Sequence, residues 1–217
     1  MKNPNLSVRY KAWTELNKMG AAAESELLKL WGDENQRFRA RALWLLGKID
    51  GRGEHYVKTA LADSNSDIRI TGIRLAKHLG MTASQVCGSV VNDASAAVRR
   101  ELAVAIRFEK SDTMPTTWAQ LAESYDGKDR WYLEALGIAS DLRAAECYDA
   151  WIKRVGNWDT EAGRDIVWRV RAPKAAEAMV AIIKNPGLKL EDTNRYFRSL
   201  EYHDPKIRTE ALKKLLP

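Results

Sequence analysis

Three aspartates, Asp33, Asp63 and Asp93, each stand six residues before an arginine: Arg39, Arg69 and Arg99. A carboxylate and a guanidinium at fixed spacing suit two kinds of chemistry, charge stabilisation at a reacting centre or charge-assisted hydrogen bonding that holds a structure together. The period decides between them. The pair recurs every 30 residues, with Asn3 and Arg9 as the first copy, and recurrence at such a period marks a repeat architecture. These residues therefore read as a structural ladder. The aspartate serves as a helix N-cap, and the arginine reaches the aspartate of the neighbouring repeat.

Other reactive patterns are missing from the chain. Cys87 and Cys147 are too few for a disulfide framework, and no CxxC, CxxCH or HxxxH string occurs. His55, His78 and His203 lie far from one another and from the cysteines, so no metal site is expected. There is no glycine-rich phosphate loop, no GxSxG and no marked acid–base couple of carboxylates. The sequence thus predicts no catalytic residues and no cofactor, and reads as a non-enzyme.

The elements that carry the ladder follow from apolar spacing. One residue before each arginine stands Val8, Phe38, Ile68 or Val98. Three after it comes Ala12, Ala42, Gly72 or Leu102, and seven after it Leu16, Leu46, Ala76 or Ile106. These offsets lie on one face of an α-helix. A shorter amphipathic stretch separates successive copies: AESELLKLWG, GEHYVKTALAD and SQVCGSVVND. Each unit is helix, turn, helix, turn, and neither helix buries its face alone, so the units must stack. The expected fold is all-α, an α-α superhelix of about six to seven helical hairpins. Regular repeats cover 3–122 and degenerate ones 123–217. In the second part KDRWYLEALGIAS, TEAGRDIVWRVR and HDPKIRTEALKKLL read as further copies, with Trp131 in the place of Phe38; AAECYDAWIKRVG, PKAAEAMVAIIK and EDTNRYFRSL read as the intervening helices. No Ser-, Gly- or Pro-rich tract divides the chain, which reads as one domain over 1–217.

Offsets of two, five and nine after each arginine point away from the apolar face. They place Lys11, Thr14 and Lys18 on the first helix; Arg41, Trp44 and Lys48 on the second; and Thr71, Arg74 and His78 on the third. The candidate binding strip is Lys11, Lys18, Arg41, Trp44, Lys48, Arg74 and His78; the alternative is a solvated helix face. Residues 1–108 hold 17 basic and 11 acidic side chains, and residues 109–217 hold 18 of each, so the whole net charge of +6 lies in the regular repeats. Of the tryptophans, Trp13, Trp31, Trp118, Trp131, Trp151 and Trp168 are expected in the core, and Trp44 and Trp158 outside it.

At Asp-x5-Arg-x2-Ala, in DENQRFRARALWLLGKI and DSNSDIRITGIRLAKHLG, the chain resembles HEAT-repeat proteins. RARALWLLGKI, DIRITGIRLA, DGKDRWYLEALGIA and AGRDIVWRVR further resemble the HEAT-repeat segment of large Planctomycetes–Verrucomicrobia-type membrane-bound dehydrogenases, where it separates a propeller from a c-type haem domain. That resemblance implies a spacer, scaffold or docking role within a larger protein. It carries over no redox activity, because CxxCH is absent. The chain is also similar to small HEAT-like glycosylases that remove alkylated DNA bases; that resemblance points to Asp129 with Trp131, or Asp165 with Trp168, as an aspartate beside an aromatic.

The expected function is a non-catalytic protein-interaction scaffold, with a protein partner or neighbouring domains of the same polypeptide. The alternative is nucleic-acid binding. With 45% hydrophobic and 29% charged residues among 217, and no window near the roughly 20 apolar residues that span a bilayer, no membrane insertion is expected. The first twenty residues carry charges throughout and no apolar run, so no signal peptide is read there. The compartment is the cytoplasm by default, or extracytoplasmic if the chain is cut from the resembled protein.

Overall fold

A computed structural model describes residues 1–216, apart from the side chains of Ser84 and Cys87. The cysteine reading at Cys87 therefore lies outside the described residues. The described residues are all-helical, with no strand among them. Two compact units arise from their packing, Met1–Ala105 and Ile106–Pro217.

The first unit contains α1 (Leu6–Met19), α2 (Glu24–Trp31), α3 (Gln36–Leu46), α4 (Gly53–Leu61), α5 (Ser66–His78), α6 (Ala83–Val90) and most of α7 (Ala96–Ile106). α2 packs on α3 and α4 on α5, while α1, α3 and α5 also pack in succession. The repeated apolar offsets fill the core: Ala42, Leu43, Leu46, Val57, Ala60, Ile68 and Leu75 are wholly buried. Each buried leucine or isoleucine contributes roughly 1.5–3 kcal/mol of transfer free energy. α1 buries none of its residues.

Helix entry here differs from expectation. The N-caps are Asn5, Asn35 and Asn65, whose side chains accept N–H bonds from the first turn. The aspartate sits two residues earlier and holds the turn instead: Asp33, Asp63 and Asp93 accept the N–H of Asn35, Asn65 and Ser95 at 2.8–2.9 Å, and Asn3 does the same for Asn5. One short polar side chain folds the loop and a second starts the helix, because a single carboxylate oxygen cannot serve both sets of donors.

The freed carboxylate oxygen takes the arginine. Arg69 donates to the carbonyls of Asp63 and Ser64 at 2.8 and 3.0 Å, and grips Asp93 with Nε and Nη2 at 2.7 and 2.8 Å. Arg39 pairs with Asp63 and with the carbonyl of Trp31, and lies over the Trp31 ring. Arg99 donates to the Asp93 and Ala94 carbonyls of its own loop. Asp33 departs from the pattern. Its outer oxygen pairs with Lys2, while Arg9 donates to the carbonyls of Asn3 and Pro4.

The second unit contains α8 (Met114–Glu123), α9 (Arg130–Ser140), α10 (Ala144–Val155), α11 (Glu161–Arg169), α12 (Pro173–Ile183), α13 (Leu190–Ser199) and α14 (Pro205–Leu215). Helices two apart pack on one another: α8 on α10, α10 on α12 and α12 on α14 in one row; α9 on α11 and α11 on α13 in the other. α13, expected as an intervening helix, therefore belongs with α9 and α11. α14, expected as a repeat of that row, packs with α12. The alternation of rows overrides the local sequence likeness.

Trp131 is also corrected. It is 71% exposed, whereas Tyr132 is buried and donates to the Leu121 carbonyl. The N-cap Asp129 aligns with Asn35, so Tyr132 and not Trp131 matches Phe38; a slip of one residue turns a side chain by 100° around a helix. Trp118 and Trp151 are in the core, and Trp13, Trp31, Trp44, Trp158 and Trp168 are half-buried. Gly163, inside α11, faces a close approach: a Cβ there would collide with the backbone carbonyl of Trp158.

Asp93 is expected to matter most to the first unit. Burial alone would raise its carboxyl, but Arg69, the Ser95 N–H and Arg99 outweigh burial and hold it below the usual carboxylate range. Its contribution is present above the unfolded value near 4 and is lost as pH falls through the lower folded value. D93N leaves the Arg69 guanidinium half-buried without a counter-charge and should cost about 2–3 kcal/mol in urea unfolding at pH 7; an unchanged midpoint would show that the bridge contributes nothing. G163A should destabilise the second unit by roughly 2 kcal/mol or more, read from its thermal unfolding, because a backbone atom must move.

Candidate functional site

The predicted strip lies on α1, α3 and α5 except for Lys48, which stands in the turn past the end of α3, and its members have different fates. Arg74 is neutralised by a two-pronged bond to Glu101 at 2.9 and 2.7 Å. Lys18 pairs with Glu15 at 2.9 Å. Trp44 and His78 meet edge-on, with ring centroids 5.5 Å apart. Lys48 lies 4.9 Å above the Trp13 ring centroid. Arg41 donates to the Met1 carbonyl at 2.8 Å and lies over Phe38. Burial, with Arg9 and Arg37 close by, lowers the Arg41 pKa from its ordinary value. Lys11 is exposed on α1. The structure therefore brings Trp44 to His78 and leaves positive charge concentrated on α3. A shallow cleft of about 570 Å³ opens beside Lys48, lined by Asn17, Ile49, Glu54 and Leu79 among others.

In the second unit, α9, α11 and α13 present a more connected arrangement. Asp165 accepts from the Tyr125 hydroxyl at 3.0 Å and from Arg195 at 2.6 Å. Arg195 also lies 4.5 Å from the Trp168 ring centroid, and Arg130 approaches the same ring at 5.8 Å. Glu134 takes Arg169 at 2.8 Å and Arg130 at 2.7 Å. Arg169 lies across Gly137, where a Cβ would strike its guanidinium. A groove of about 720 Å³ runs along Trp168, Arg195, Phe197, Arg198 and Tyr202.

The chemistry open to these carboxylates follows from their partners. Burial favours a neutral Glu134, but the bonds from Arg169 and Arg130 outweigh it and hold the group below its ordinary value. A carboxylate held ionised by two guanidiniums is a poor proton donor near neutral pH. Asp129 caps α9 through the N–H groups of Trp131 and Tyr132, so its oxygen is turned into its own helix. Tyr125 is pushed upward by burial and then by Asp165, and remains a hydrogen-bond donor. Arg195, Arg169 and Glu134 did not emerge from the sequence pattern. One signal was available: Arg195 follows Asp165 by 30 residues, the period of the first unit, though with the order of acid and base reversed in space.

His203 is buried between α13 and α14 and neither ring nitrogen has a hydrogen-bond partner among the described residues. Its pKa is pushed down to about 4, first by burial and then by Arg171. Among the described residues no group of three His, Cys, Asp or Glu side chains is placed to hold a metal ion, and no helix is long and apolar enough to cross a membrane.

A depressed histidine gives stability that is intact above the unfolded value near 6.5 and lost as pH falls towards the folded value. Stability of the second unit should decline between pH 6.5 and 4 by up to about 3 kcal/mol from this group. H203F should flatten that decline in a pH series of urea titrations; identical slopes would assign the acid sensitivity elsewhere. No known protein family matches this chain, and no curated protein matches it.

Proposed function

We propose that the chain is a HEAT-like α-α superhelix that works as a non-catalytic scaffold, docking a protein partner or neighbouring domains on the face formed by α1, α3 and α5 of the first unit. The observation that carries this reading is the repeated bridge in which Arg39 meets Asp63 and Arg69 meets Asp93, each 24 residues ahead. A part occurring once per repeat serves register, and register makes a row of helices into a continuous surface. The exposed side chains of Tyr10, Val104, Phe108 and Trp131, each on or beside an odd-numbered helix, supply the aromatic and apolar contacts that partner surfaces use. A role as a module of a larger bacterial protein, as in the resembled dehydrogenases, fits the same reading.

A second reading, a nucleic-acid-binding protein of the glycosylase type, draws on the cations of α3 and on Arg195, which joins Asp165 to Trp168. The bonds that hold Asp165 leave it less suited to stabilising a departing base, and this reading ranks second.

Lysine cross-linking in cells distinguishes the faces. Cross-links to other proteins should concentrate on Lys11, Lys18 and Lys48 and spare Lys29 on α2 and Lys58 on α4. Cross-links concentrated on Lys29 and Lys58, or none from the first three lysines, would overturn the docking face.

A further inference from the structure

In the first unit many cations outside one helix line are matched by acids. Lys2 pairs with Asp33, Lys18 with Glu15, Lys29 with Glu26, Arg39 with Asp63, Arg52 with Glu24, Lys58 with Glu54, Arg69 with Asp93 and Arg74 with Glu101. Among the described residues, no carboxylate pairs with Lys11, Arg37, Arg41 or Lys48. Arg37 and Arg41 share a face of α3 at i and i+4, with Trp44 at i+7, and Lys48 stands in the turn two residues past the end of that helix. At 1.5 Å per residue, Arg37 lies about 14 Å from the end of the helix at Leu46. Lys11 occupies the position on α1 that Arg41 occupies on α3, 30 residues on.

The rings beside this line seat the cations. Phe38 lies under both Lys2 and Arg41, Trp13 lies under Lys48, and Trp44 meets His78 edge-on. A nucleic base would need a flat ring to stack on, which these contacts obstruct. A carboxylate needs only the guanidinium and ammonium heads, and among the described residues these have no acidic partner. Arg37, exposed, and Arg41, half-buried, lie one turn apart and repel each other, a cost that an incoming anion relieves.

We propose that the Arg37–Arg41–Lys48 line, with Lys11 beside it, captures an extended acidic peptide segment of a protein partner. At about 3.3 Å per residue, about five residues reach from Arg37 past the end of α3, and alternate side chains of such a strand fall on the helix. The inference rests on the reading of the chain as a partner-docking repeat protein and names the partner's chemistry.

Fluorescence anisotropy of the full chain tests it, with a labelled ten-residue Glu/Gly peptide, its Gln/Gly counterpart, and a single-stranded and a duplex DNA of similar charge, at 50 and 300 mM salt. The expected result is binding of the Glu peptide at low salt, at least about tenfold weaker at high salt, and no binding of the Gln peptide. R37E/R41E should weaken the Glu peptide at least about tenfold, and the milder R37Q/R41Q should weaken it less. K29E/K58E, on the opposite helices, should leave it unchanged. Circular dichroism and thermal unfolding of each variant confirm that it is folded. Equal binding of Glu and Gln peptides, tighter binding of either DNA, no binding of the Glu peptide at millimolar protein, or an unaffected R37E/R41E would each overturn the inference. If cross-links still fall on Lys11, Lys18 and Lys48, the docking face survives and only the acidic partner is wrong; if those are also missing, both fail.

Discussion

An arginine side chain is long enough to hold two things at once, and the first unit depends on that. Arg69 fastens the carbonyls of the loop that starts its own helix and, with the rest of its fork, the aspartate that folds the next loop. The planar guanidinium makes this possible, because its five donors diverge in fixed directions. Asp93 in turn has one oxygen for Ser95 and both available to the arginine. Each joint is therefore a closed set of charge-assisted bonds, and the geometry between neighbouring helix pairs is determined by side chains that the repeat itself supplies. Apolar burial provides the larger free energy, but it is non-directional and would tolerate sliding. The ladder removes that freedom.

The same principle appears in altered form in the second unit. Asp165 and Glu134 are held by Arg195 and Arg169, which come from helices later in the chain, so the acid precedes the base where in the first unit the arginine precedes the aspartate. The aromatic ring of Trp168 is drawn into this set, with Arg195 over it. Holding carboxylates in this way organises a face and at the same time withdraws them from proton transfer. A binding surface gains from such pre-organisation, since the groups that meet a partner are already ordered, while acid–base work loses the groups it would need.

Charge excess and charge pairing are separate quantities. The net +6 is a property of composition, yet many basic side chains of the first unit are already matched by acids within the same unit. Among the described residues, Arg37, Arg41, Lys48 and Lys11 have no carboxylate partner, and such a local remainder creates a field for a partner to respond to. Arg74 and Lys18 belong to the same stripe by spacing but have their own carboxylates, and only coordinates in three dimensions separate them from Arg37 and Arg41.

From the amino-acid sequence alone, the helical class, the 30-residue period and the pairing of Arg39 with Asp63 and Arg69 with Asp93 were legible, because each follows from spacing along one helix and from the chemistry of two side chains. The asparagine caps were present in the same register, at Asn5, Asn35 and Asn65, but were overshadowed by the charged neighbour two positions away. Tertiary structure decided the rest. Whether Trp131 faces in or out turns on one residue of register, which sequence likeness leaves free and packing does not. The placement of α13 beside α11, the seating of Arg195 on Trp168 and the burial of His203 all depend on which surfaces meet at separations of tens of residues. Local propensity carries no information about those meetings; they are settled when each helix finds the neighbour that buries its apolar face.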